Sequence, residues 1–128
     1  MTKFLTALLI WAALAVGPAH AQLAPAATFH AWAPLGTTTL AVTATTGNVA
    51  LPSVAPVALI CNTGTKAAYL AFGTTNAVVA TTSGFLLSSG VCRAYSIKPF
   101  ATQYTYLAAI TAGSDTTSLD IETGLGSP

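Results

Sequence analysis

Downstream of residue 21 the chain is made of short β-branched runs cut at regular intervals by turn residues, a pattern that strands satisfy and helices do not. Thr (19) and Ser (8) supply 27 of the 107 residues from 22 to 128. Thr and Val are stiff at χ1 and favour extended backbone, while the recurring Thr-Thr-Gly and Ser-Gly pieces supply turns. In Thr39–Ala44 the residues Leu40, Val42 and Ala44 alternate with Thr39, Ala41 and Thr43, the period of a half-buried strand. Thr45–Asn48 reads as a turn, with Gly47 and Asn48 tolerating positive φ, and Val49–Leu51 as a short return strand. Val54–Cys61 is continuously apolar, as in a strand covered on both faces. Ala67–Gly73 follows a turn at Asn62–Thr65 and is expected to pair antiparallel with the strand before it, lying mid-sheet. Thr74–Ser83 suits a loop or an edge strand. Phe85–Leu87, Val91–Ile97, Tyr104–Ile110 and Ser118–Glu122 complete the set, with Phe29–Trp32 a weaker candidate. About eight short strands with turn signals every 8–12 residues predict an all-β fold, an antiparallel β-sandwich or jelly-roll-like barrel.

The first 21 residues differ in kind. Lys3 precedes the apolar run Phe4–Val16, Gly17-Pro18 breaks it, and Ala19-His20-Ala21 ends it. That order matches a secretory signal, and the run is shorter than the ~20 residues that span a bilayer as a helix. An apolar arm docked on a partner subunit is the other reading. The chain thus divides into a leader at 1–21, a linker with a weak strand at 22–38, and a β-domain at 39–128. Export would place the protein in the periplasm, outside the cell or on its surface. An oxidising compartment would join the cysteines, Cys61 and Cys92, in the single possible intrachain disulfide. Closing that 31-residue loop contributes roughly 3–4 kcal/mol in the chain-entropy model. Two buried thiols acting as small apolar groups are the alternative.

Charge is scarce. The full chain is 53% hydrophobic, 5% charged and formally +1. From residue 22 onward Lys66, Arg93 and Lys98 balance Asp115, Asp120 and Glu122. That excludes nucleic acid as an electrostatic partner, which requires several cations on one face, and argues against intrinsic disorder. It also leaves little for catalysis. His30 is the one histidine beyond the leader and has no carboxylate near it in sequence. Asp120 and Glu122 alternate onto one strand face, where solvated acids are commoner than a glycosidic pair, and with Asp115 they match no calcium loop. The glycines form no phosphate loop. No catalytic residue, cofactor or metal site is expected.

Aromatic side chains are the better candidates for contact. Trp32, Tyr69, Tyr95, Tyr104 and Tyr106 are large and amphipathic, and Tyr104 and Tyr106 are expected to point the same way on one strand. Such a pair suits a subunit contact, stacking on a sugar ring, or a core edge with its hydroxyls in water. Trp32, Tyr95, Tyr104 and Tyr106 form the candidate interaction surface. Arg93 and Lys98 flank Tyr95 as a small basic patch or, more simply, a solvated strand face.

Four pieces carry a resemblance: Asn62-Thr63-Gly64, Ala68-Tyr69-Leu70-Ala71-Phe72-Gly73, Tyr106-Leu107-Ala108-Ala109-Ile110 and Thr123-Gly124-Leu125-Gly126. In this order, over about residues 39–126, the chain resembles small bacteriophage and prophage β-proteins. The resemblance implies a virion accessory role, as capsid decoration or a minor head or tail component, with no enzyme chemistry and no transferred site residues. The leading expectation is a non-catalytic structural protein that associates with itself or with a larger virion or surface assembly. The alternative is a secreted carbohydrate-binding or adhesion module.

Overall fold

A computed structural model describes residues 31–126 of the chain. The leader and residues 22–30 of the linker, Phe29 and His30 among them, lie outside these residues; Ala31 and Trp32 precede the first strand. The strands are β1 (Ala33–Val42), β2 (Gly47–Ala50), β3 (Val57–Asn62), β4 (Ala68–Gly73), β5 (Phe85–Leu87), β6 (Cys92–Ser96), β7 (Tyr106–Ile110) and β8 (Thr117–Leu125). Sheet one has the order β1-β8-β3-β6 and sheet two β2-β7-β4-β5, with every pairing antiparallel. Four of the pairs are β1 with β8, β2 with β7, β3 with β6, and β4 with β5. They describe one long hairpin, its arms β1–β4 and β5–β8, rolled so that alternate pairs fall in opposite sheets. That is the strand order of an eight-stranded jelly roll.

Rolling the hairpin overturns one local expectation. β3 and β4 do not pair; each lies in a different sheet, and the turn between them crosses the sandwich. β3 instead sits between β8 and β6, and β4 between β7 and β5. β3 is also shorter than the apolar run that contains it and alternates, with Ala58, Ile60 and Asn62 buried and Val57, Leu59 and Cys61 half-buried on the outer face. β1 reaches back to Ala33 through a register shift between Pro34 and Gly36. Pro34 fits there because β1 is an edge strand, where one ladder of N–H groups has no partner to lose. The first reversal falls at residues 43–46 rather than 45–48, with the Thr45 N–H donating to Thr43 Oγ1 at 3.2 Å.

The core lies between the inner faces. Val42, Ile60, Leu119 and Ile121 of sheet one and Leu70, Leu87, Leu107 and Ala109 of sheet two belong to one buried cluster. Residues 74–83 form the loop rather than an edge strand, and they cross the outer side of sheet two. Asn48 Nδ2 donates to the Asn76 carbonyl at 2.8 Å, the Ala80 N–H donates to Thr46 Oγ1 at 3.0 Å, and Val78 packs on Gly73. This cover explains why Ala108, whose strand neighbours Leu107 and Ala109 face the core, is itself fully buried.

Asn62 holds the crossing turn. Its Nδ2 donates to the carbonyls of Lys66 (2.7 Å) and Leu87 (3.1 Å), and its Oδ1 accepts from the Gly64 N–H (3.2 Å) and Thr117 Oγ1 (2.7 Å). All four hydrogen-bonding positions of the amide are therefore used. Its backbone also bonds residues 90 and 91. Gly64 passes so close to Thr117 that an added Cβ would lie 2.9 Å from the Thr117 Cα. Cys61, the preceding residue, stands directly opposite Cys92 and is joined to it by a disulfide. β6 pairs only with β3, so this bond fastens an edge strand to the sheet interior.

Asn62→Ala strands partners in three elements and is expected to lower stability by about 3 kcal/mol, measured by urea unfolding. Asn62→Asp sets a carboxylate against two carbonyls and should cost more at neutral pH than in acid. Reducing the Cys61–Cys92 bond is expected to lower stability by roughly 3 kcal/mol, seen as a lower melting temperature with reductant than without.

Candidate interaction surface

Inward-facing positions at the β5–β6 side of the sandwich are not sealed, because β5 and β6 are the last strands of their sheets. Tyr95 pairs with Ala58 and so faces inward, beside Phe72 of β4. The Phe72 ring lies 5.2 Å from Tyr95, 6.1 Å from Tyr104 and 6.3 Å from Phe85. With Ser96 and Pro99 these four rings line an open cavity of about 280 Å³. Offset and tilted contacts of this kind suit the ring quadrupoles and fix the walls.

Of the four expected contact residues, Tyr95 and Tyr104 meet here and pack against the core. Tyr104 precedes β7 instead of belonging to it, so it and Tyr106 do not form a pair along one strand. Tyr106 lies opposite Gly73 on the outer side of sheet two. Trp32 lies on sheet one, its ring against Gly124 and its Nε1 donating to Glu122 Oε2 at 3.3 Å. All four are half-buried. Among the described residues the fully exposed aromatic is Phe100; Phe85 is exposed at the cavity, and Leu86 is exposed on the other face of β5, opposite Tyr69. Nothing in the sequence marks Phe100, since a Phe after Pro99 reads as ordinary core material.

Phe100 stands at the tip of a pinned loop. The Tyr104 N–H donates to the Ile97 carbonyl at 2.8 Å and closes the loop base, and the Thr102 N–H donates to the Pro99 carbonyl at 3.1 Å across the tip. Gln103 Nε2 ties the base to the Ala55 and Ile97 carbonyls. At this tip Phe100 has φ 55° and a relative exposure of 102%. Left-handed backbone at a bulky residue costs on the order of 1–3 kcal/mol. The fold therefore carries local strain to present an apolar ring to water.

Polar chemistry is dispersed. Asp115 pairs with Lys66 at 3.4 Å, whereas Asp120 and Glu122 lie on sheet one opposite Thr39 and Thr37. The two carboxylates and Thr37–Thr39 line a shallow depression of about 330 Å³. The three acids are thus not brought together, and no group of three metal-ligating side chains occurs among the described residues. Tyr95 Oη is enclosed and makes no well-formed hydrogen bond among the described residues, with the Arg93 guanidinium its polar neighbour. Burial pushes its pKa above the usual phenol value, and the neighbouring Arg93 guanidinium offsets part of that rise. No protein-family model matches the chain, and no curated protein matches it.

Because Tyr95 ionises less readily when folded, its contribution to stability is complete below the ordinary tyrosine range and is lost as the pH rises through the raised value. Ultraviolet titration of phenolate absorbance should show a step above the ordinary tyrosine range, and Tyr95→Phe should remove that step.

Proposed function

We propose that the protein is a non-catalytic structural subunit that associates with a larger assembly, a virion accessory component of the phage type. One observation carries the reading: Phe100, wholly exposed on strained backbone, follows Pro99, which lines the same open cavity as the exposed Phe85 of an edge strand. Strain at a rigid surface position has a use when a partner covers the side chain, because burying a Phe removes a large apolar area from water. The small charge count agrees, leaving aromatics, hydroxyls and strand edges to make contacts. The jelly-roll order supports it as well, since this architecture serves capsid and lectin domains. So does the resemblance of the β4, β7 and β8 pieces to small phage β-proteins. The disulfide is compatible with an exported location.

A second reading, a secreted carbohydrate-binding or adhesion module, is favoured by the aromatic cavity at Phe72, Phe85, Tyr95 and Tyr104. Planar rings around an open space suit the apolar face of a sugar.

Co-sedimentation of the purified protein with phage particles, and separately with cells, induced from its source strain tests the assembly reading. Binding to particles is expected, and Phe100→Gly should reduce it at least tenfold while leaving stability unchanged or raising it by up to about 1 kcal/mol through relief of strain. No binding to either would overturn the proposal. A glycan array positive for the unmodified protein and silent for Tyr104→Ala would favour the second reading instead.

A further inference from the structure

We propose that the Phe100 edge of one copy docks on the carboxylate face of sheet one of a second copy, a head-to-tail contact that builds rings or open chains. This inference rests on the assembly reading and names the partner as the chain itself.

The charges are sorted by location. Lys66–Asp115 is the one ion pair among the described residues. It leaves two cations, Arg93 and Lys98, and two carboxylates, Asp120 and Glu122, without an ionic partner among those residues. Arg93 is on β6 beside Tyr95, and Lys98 is in the loop that carries Phe100, so both cations belong to the aromatic edge. Asp120 and Glu122 are on β8, with β3 between them and β6. Each surface also has an aromatic element: Phe100 projects from the basic edge, and Trp32 lies against Glu122 on the acidic face. The acidic depression, at about 330 Å³, is open to solvent and includes Glu122, the residue that Trp32 meets.

The same sorting decides the symmetry. A two-fold contact of the basic edge with itself would set Arg93 and Lys98 near their own copies, and like charges facing each other select against that pairing. Joining unlike surfaces satisfies both pairs of charges and leaves one free surface of each kind on every new end. Such heterologous contacts close into rings or continue as filaments.

Sedimentation velocity of the full chain tests this. At low salt the weight-average sedimentation coefficient is expected to rise with concentration into the millimolar range. In about 1 M NaCl, where the Debye length falls to about 3 Å, the rise should be much smaller. R93E/K98E and D120K/E122K should each associate at least tenfold more weakly than the unmodified protein. An equimolar mixture of the two should regain association, because each supplies the charge the other lacks. D120K supplies the same comparison if changing Glu122 disturbs Trp32, and thermal melts check that every variant is folded. Association of D120K/E122K equal to that of the unmodified protein would overturn the proposal, as would failure of the mixture to recover. An unmodified protein that stays monomeric yet binds particles would overturn this inference alone and leave the assembly reading standing.

Discussion

The buried amide of Asn62 is the interaction on which the rest of the architecture depends. Its side chain ties the end of β3 to the crossing turn, to the last residue of β5 and to the first of β8, while its backbone meets the turn before β6. Both arms of the rolled hairpin therefore meet at one residue. Apolar packing between sheets is strong but non-directional and tolerates sliding. A fully satisfied polar group in the interior sets register, because any displacement leaves buried donors and acceptors unpaired. Gly64 and the disulfide work at the same place: the glycine lets the turn close on Thr117, and the disulfide holds β6 where the Asn62 backbone has placed it.

Strand positions were legible because period-two alternation is a local property. Leu40 and Val42 face the core, as do Ala68, Leu70 and Phe72, and the turn signals separate the eight strands. Pairing was not legible in the same way. The preference of consecutive strands for each other pointed to β3 with β4, and only the global rolling of the hairpin separates them. Asn62 looked like an ordinary turn residue, since a sequence does not show which turn asparagine will be enclosed. The cysteine pairing was readable because two cysteines allow one intrachain bond.

The contact surface was legible only in kind. Aromatics were the right class of residue, and Tyr95 and Tyr104 do meet. Their companions Phe72 and Phe85 lie on predicted strands without any mark of a contact role, because a side chain facing inward at an unsealed edge has the same alternation as one facing inward at the centre. Phe100 was invisible for a different reason. Its exposure follows from a left-handed turn closed by Ile97 and Tyr104, and nothing in the residue types of that turn calls for positive φ. The even balance of charges was plain from the sequence, but their separation onto two surfaces required the strand order.

The pairing of Ala33 with Leu125 puts the first and last strand residues side by side on the edge of sheet one farthest from β6. The polypeptide enters and leaves the sandwich at one corner, like the two ends of a looped cord. Gly124 of β8 also pairs with Val57, and Val57 with Ser96, the residue before the Phe100 loop, so this corner lies at the same end of sheet one as that loop, with β8 and β3 between their strands. One end of sheet one thus carries both the entry and exit of the sandwich and its exposed aromatic loop, a grouping that comes from strand register and not from any particular side chain.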